Sequence, residues 1–174
     1  MRFRLTRARA HRRLQDLPGH PKMAASFSNG WVASLRIALQ CLRYLWAAPY
    51  TALGLVLGLV GMLLGGRWGV YRGVMEFHAG ALGHLISRLP QPFCFSAMTL
   101  GHVILAVNGR ELVQLRPHEH VHVRQYERWG PLFLPAYLAS SLLQLLRGRD
   151  PYRENHFERQ AFARAPLKQP LSRD

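Results

Sequence analysis

The sequence predicts an α+β protein. An N-terminal membrane helix region is followed by a small, mainly helical domain, with a short antiparallel β-hairpin or sheet ahead of a histidine-bearing helix. Three observations predict this. Tyr44 to Gly66 carries no charged side chain and reads as a long apolar helix. Segments between residues 69 and 115 alternate or are rich in β-formers, as strands are. Arg116 to Arg128 contains His-Glu-x-x-His, formed by His118, Glu119 and His122, a spacing that gathers two imidazoles on one helix face.

The chain has 174 residues, enough for one modest domain and an appendage. Its formal net charge is +14, from 23 Lys+Arg against 9 Asp+Glu, and nearly all of the cations are arginine. The basic residues are spread along the chain and form no nucleic-acid module, so nucleic acid is not an expected partner. A long apolar run after a basic N-terminus points instead to an anionic membrane surface. Neither Cys41 nor Cys94 sits in a Cys-x-x-Cys pair, which excludes a cysteine zinc site. Cys41 reads as a buried free thiol.

Residues 1–30 read as a flexible basic arm. Arg2, Arg4, Arg7, Arg9, Arg12, Arg13 and Lys22 stand against Asp16, and Pro18-Gly19 and Ser26 to Gly30 break a helix. Residues 31–66 form an interfacial plus transmembrane helix region. Val32, Leu35, Leu39 and Leu42 make an apolar stripe bordered by Arg36 and Arg43, as in a surface-lying helix. The uncharged run from Tyr44 spans roughly 30 Å or slightly more, the hydrocarbon thickness. Tyr44, Trp46, Tyr50 and Trp68 flank it as an aromatic belt. Gly54-x-x-x-Gly58 and Gly61-x-x-x-Gly65 allow close approach of a second helix, hence a homodimer. The charge bias favours an internal N-terminus. The side on which the remainder lies stays open, because a re-entrant hairpin satisfies the same bias.

Residues 67–165 form the metal-binding domain. Gly69 to His78 alternates as one half-buried strand, and Ala79 to Leu89 is a short helix closed by Pro90 and Pro92. Ala97 to Val107 reads as a strand, Asn108-Gly109 as a hairpin turn, and Arg110 to Leu115 as the returning strand. Pro117 suits the first turn of the helix that bears the histidines. Pro131 to Leu146 is uncharged but spans only about 24 Å as a helix, which suggests burial against the sheet or a dip into the membrane. Residues 152–165 form a last helix and 166–174 a polar tail.

Two neutral imidazoles at i and i+4 make half of a tetrahedral zinc site. Glu119, about a third of a turn away, is placed to take a proton from a water polarised by the ion. A rival reading is a strand, in which His118, His120 and His122 share one face. Pro117 and the run Arg124 to Arg128, which lacks alternation, favour the helix. A zinc site needs a third ligand, and Glu154 and Glu158 both follow in Glu154-Asn155-His156-Phe157-Glu158.

His118-Glu119-x-x-His122-Val-x-Gln-Tyr followed by Asn155-x-x-Glu158-x-x-Ala161 resembles the gluzincin zinc metalloproteases, specifically minimal, membrane-associated bacterial members. The resemblance covers about residues 97–164. It implies one zinc ion held by His118, His122 and Glu158, with Glu119 as the general base. It implies peptide-bond hydrolysis at a bacterial inner membrane, on a peptide or protein lying along a strand before the zinc helix. Gly101, His102, Val103, Ile104 and Leu105 are the expected substrate strand. Larger members carry a further domain whose Tyr or His steadies the oxyanion, and this chain has no room for one. Tyr126, His102, Tyr152, Arg153 and Asn155 are the candidates for that role or for supporting the ligands. The competing reading is a membrane protein with a closed, structural or sensory zinc site.

Overall fold

The computed structural model describes residues 22–78, 80–88 and 95–166, without the side chains of 22–30 and of Leu82. Cys94, Pro90, Pro92, the first part of the basic arm and nearly all of the polar tail lie outside the described residues. The chain divides into two units, residues 1–40 and 41–174. The described part of the first is the start of a single helix, α1 (Lys22–Leu63). The expected break at Ser26 to Gly30 is therefore absent, and 31–66 is not two helices. From Trp31 to Gln40 every side chain is exposed.

The second unit holds the remaining elements. The alternating run after α1 is a hairpin rather than one strand: β1 (Arg67–Tyr71) and β2 (Val74–His78) pair antiparallel, with Tyr71 opposite Val74. Arg72 and Gly73 turn between them with φ of 50° and 80°, the two left-handed residues of a type I′ turn. A short helix α2 (Gly80–Ile86) follows. Next come β3 (Ala97–Leu100) and β4 (Val103–Ala106), also antiparallel. Among the described residues these form one mixed sheet in the order β1-β2-β4-β3, and β2 and β4 run parallel. The antiparallel expectation thus holds for each hairpin but not where the two hairpins join.

The second hairpin turns at Gly101-His102, not at Asn108-Gly109. Gly101 has φ 60°, the first central position of a type II′ turn. Asn108 instead caps helix α3 (Gly109–Trp129), its side chain accepting from the Glu111 amide at 2.9 Å. Asn108-x-x-Glu111 has the spacing of a capping box, which competes with the hairpin meaning of Asn-Gly. Arg110 to Leu115 is therefore helix, and Pro117 lies inside α3 rather than in its first turn. A 3₁₀ turn (Gly130–Leu132) leads into α4 (Phe133–Leu146), and α5 (His156–Arg164) ends the described fold.

Two apolar clusters hold these elements together. Val74, Ile104, Ala106, Leu112 and Val123 join the sheet to α3, and Ala47, Tyr126, Phe133 and Phe157 join α1, α3, α4 and α5. Gly54 and Gly58 bring α1 itself against the sheet. A Cβ at Gly54 would come within 2.8 Å of the Val103 Cβ, and one at Gly58 within 2.5 Å of the Phe77 ring. The Gly54-x-x-x-Gly58 pair thus admits the sheet and is not left free for a second copy of the helix. Cys41 is exposed, not buried.

Trp31–Leu63 and Gly109–Leu146 are helical stretches long and apolar enough to cross a membrane by length and composition. In the second, the uncharged part begins only after Arg128. Helix α4 does not pack against the sheet as one expectation had it. It leans on α5 and the 3₁₀ turn, and exposes Leu138, Leu142, Leu143, Leu145 and Leu146.

Candidate metal centre

His118 and His122 lie one turn apart on α3, and Glu158 lies in the first turn of the facing α5. Asn155 sets that turn. Its side chain caps α5 by accepting from the Phe157 amide at 2.9 Å. Its amide group donates to the Tyr137 carbonyl at 3.0 Å and the Ser141 hydroxyl at 2.7 Å. Asn155 is fully buried and is a positioning residue for α5, not an oxyanion donor.

The three side chains converge. His118 Nε2 is 3.1 Å from Glu158 Oε2, His122 Nε2 is 3.4 Å from Glu158 Oε1, and the two Nε2 atoms are 3.2 Å apart. For bonds of 2.0–2.1 Å in a tetrahedron, neighbouring ligand atoms are about 3.3 Å apart. The two imidazole nitrogens have that spacing, and each has a different oxygen of Glu158 at a similar distance. All three residues are buried, and together they could hold a metal ion.

Tautomer and charge agree with this. Gln125 donates through Nε2 to the Phe157 carbonyl at 3.0 Å and to Gln160 Oε1 at 3.3 Å, which turns its Oε1 toward His122 Nδ1 at 2.8 Å. The His122 proton therefore sits on Nδ1, and the Nε2 lone pair faces the centre. An outer partner of this kind is what a metal-binding histidine normally has. Burial works to raise the Glu158 carboxyl, but the adjoining His118 and His122 imidazoles outweigh it and hold it at about 2. Burial works to lower His122, yet Glu158 and Glu119 turn its shift upward. The field at the centre thus favours positive charge. Tyr137, on α4, donates to Glu158 Oε1 at 2.8 Å.

Glu119 is buried beside this group. Thr99 of β3 donates to its Oε2 at 2.7 Å, leaving Oε1 without a hydrogen-bond partner among the described residues. Burial pushes the Glu119 carboxyl up, against the opposing pull of His122 and the Thr99 hydrogen bond. That is the direction in which a carboxylate becomes a better proton acceptor.

The remaining expectations divide. Tyr152 lies near the site but is 48% exposed: it packs edge-on to Phe162 at 5.9 Å, and Phe162 packs against His118 at 4.9 Å. Tyr126 does not belong with the site. It is 1% exposed in the aromatic cluster against Phe133 and Tyr50. His102 stacks on Tyr44 at 3.9 Å and meets Glu127 at 3.4 Å, which engages it elsewhere. Arg153 is exposed in a turn where its amide donates to Asp150. Glu154, the rival third ligand, faces Arg159 at 3.8 Å. His120 packs edge-on to Tyr71 at 5.5 Å rather than joining the centre.

The expected substrate strand is also displaced. Gly101 and His102 form the turn, and Val103, Ile104 and Leu105 lie in β4, which is flanked by β2 and β3. An interior strand has no free edge. The edge strand beside α3 is β3, Ala97–Leu100.

Sequence reasoning passed over the supporting roles of Tyr137, Gln125 and Thr99. Gln125 could have been found, being three residues after His122 on the same helix side. Tyr137 gave no signal, because it lies in an apolar run. No protein-family model, curated protein or solved structure matches this chain.

Proposed function

We propose that this chain is a membrane-associated, zinc-dependent peptidase of gluzincin type. The observation that carries the reading is the convergence of His118, His122 and Glu158, with contacts of 3.1 to 3.4 Å between them and the Glu119 carboxylate beside them. His118, His122 and Glu158 would hold the ion, which would supply Lewis-acid polarisation of a water and of the scissile carbonyl. Among the described residues the metal-binding group numbers three. A structural zinc site is closed by four protein ligands, so three favour an open, catalytic position.

Glu119 accepts the water's proton on Oε1 while Thr99 holds Oε2, and later returns it to the leaving amine. Tyr137 fixes Glu158 from behind. Tyr152, which reaches the centre through Phe162 and His118, is the oxyanion donor of this reading. An extended peptide adds to the free edge of β3. The exposed leucines of α4 and the apolar residues of α1 from Leu53 to Leu63 anchor the protein in a membrane, for which the bacterial inner membrane is our assignment. The sheet packed on Gly54 and Gly58 argues that this half of α1 keeps one face on protein, since open sheet edges do not enter hydrocarbon.

The test pairs zinc analysis with turnover of a fluorogenic mixed-peptide library. Wild type is expected to carry one zinc and cleave. Glu119→Gln should keep the zinc and lose cleavage, and Glu158→Ala should lose stoichiometric zinc. Cleavage by Glu119→Gln at the wild-type rate, or full zinc in Glu158→Ala, overturns the reading.

A further inference from the structure

Beside the metal centre, on the outer side of the antiparallel pair α3 and α5, lies a second polar feature. Arg124 and Arg128 stand one turn apart on α3. His156, Gln160 and Arg164 stand one turn apart in succession on α5. The two rows border a single cavity of about 140 Å³. Gln125 and Gln160 form its floor and spend their amides on each other, on Phe157 and on His156. The guanidinium donors at the rim are left over. Among the described residues none of Arg124, Arg128 and Arg164 has a carboxylate within ion-pair distance. The nearby acids are engaged: Glu127 with His102 and Arg43, Glu154 with Arg159.

Like charges four apart on a helix weaken it, and a third cation facing them adds to that repulsion. A multivalent anion removes it. The cavity exceeds the roughly 30 Å³ share of one water several-fold. Guanidinium forks match the oxygens of a phosphoryl group two at a time. We propose that this groove is an anion site for a phosphate group, carried by a soluble phosphate compound or by a lipid headgroup. The inference uses none of the metal ligands and stands independently of the peptidase reading.

The experiment is calorimetric titration of inorganic phosphate into the full chain in a neutral detergent, with wild type, R124Q/R164Q and a control, R147Q/R149Q. Saturable binding is expected in wild type and control. The first variant should bind at least ~10-fold more weakly, about a decade for the charge-assisted bonds lost. All of these arginines are exposed, so their removal takes nothing from the core, and R128Q supplies a second, milder step in the same direction. Repeating the titration in phosphatidylcholine nanodiscs with and without phosphatidic acid identifies the source. Competition by phosphatidic acid assigns the headgroup, and unchanged phosphate binding assigns the soluble compound. Absence of phosphate binding in wild type, or binding by R124Q/R164Q and R128Q as tight as that of wild type, overturns the proposal.

Discussion

Replacing Gln125 separates the support of the metal centre from the stability of the fold. Gln125 is 4% exposed and spends all of its polar atoms: Oε1 accepts from His122 Nδ1, and Nε2 donates to the Phe157 carbonyl and to Gln160. In Gln125→Leu the volume is nearly kept, but the His122 N–H is left buried without a partner and the Phe157 carbonyl keeps only its bond within α5. An orphaned buried group costs about 1–3 kcal/mol, which the metal-free protein should lose. The imidazole also loses the bond that fixes its tautomer, and zinc affinity should fall about 10–100-fold. Gln125→Glu keeps the acceptor for His122 and loses the donor to Phe157 and Gln160. It should be destabilised when metal-free, yet bind zinc within about 10-fold of wild type, because a carboxylate raises the basicity of a ligating histidine. Urea denaturation of metal-free protein and zinc competition against a fluorescent chelator measure the two quantities. Zinc affinity of Gln125→Leu within about 3-fold of wild type would falsify the assignment of Gln125 as the outer partner of His122.

Three further outcomes follow from the packing. Gly101→Ala should lower stability by about 2–4 kcal/mol in a urea melt, since φ is 60° and the added Cβ overlaps the Thr51 side chain and the Ala47 carbonyl of α1. A loss under about 1 kcal/mol would contradict the close approach of that turn to α1. Asn155→Ala removes a helix cap and strips partners from the Tyr137 carbonyl and the Ser141 hydroxyl, for about 2–4 kcal/mol together, and should weaken zinc binding because α5 carries Glu158. Unchanged zinc affinity in that variant would show that Glu158 is held by something else. Burial lowers the His102 pKa below its usual 6.5, with Glu127 opposing only in part. The unfolded chain therefore binds that proton more readily than the folded one. The stabilisation is complete above pH 6.5 and is lost as pH falls below it. The stability advantage of wild type over His102→Gln should shrink on acidification through this range, and an advantage that grows would reverse the sign of the argument.

Much of this arrangement could be read from residue types because the signals were local. His118, Glu119 and His122 needed only the helical period. The rival strand with His120 failed because α3 is capped from Asn108 and carries its apolar residues Leu112, Val121 and Val123 toward the core. Glu158 was reached through a resemblance, and the distances of 3.1 and 3.4 Å to the histidines give it a geometric basis of its own. What was misread turned on residues that carry two meanings. Asn108-Gly109 serves as a hairpin turn or as a cap, and Glu111 three residues on decides for the cap. Gly54-x-x-x-Gly58 admits a helix or a sheet, and Val103 and Phe77 fill the space. Arg72-Gly73 escaped notice because arginine seldom adopts the left-handed conformation that the turn requires.

The strand error bears on chemistry as well as topology. Moving the turn from Asn108-Gly109 back to Gly101-His102 converts the expected substrate strand into the sheet interior and makes β3 the free edge. That same strand carries Thr99, whose hydroxyl holds Glu119. On the proposed reading, one four-residue element offers backbone pairing for an extended chain and fixes the carboxylate that would act on it. The register of β3 is set by its pairing with β4, Thr99 opposite Ile104, and Ile104 is fully buried in the cluster that joins the sheet to α3. A slip of one residue in that pairing would turn Thr99 away from Glu119. The apolar core, rather than any polar contact at the centre, therefore determines which oxygen of Glu119 stays free.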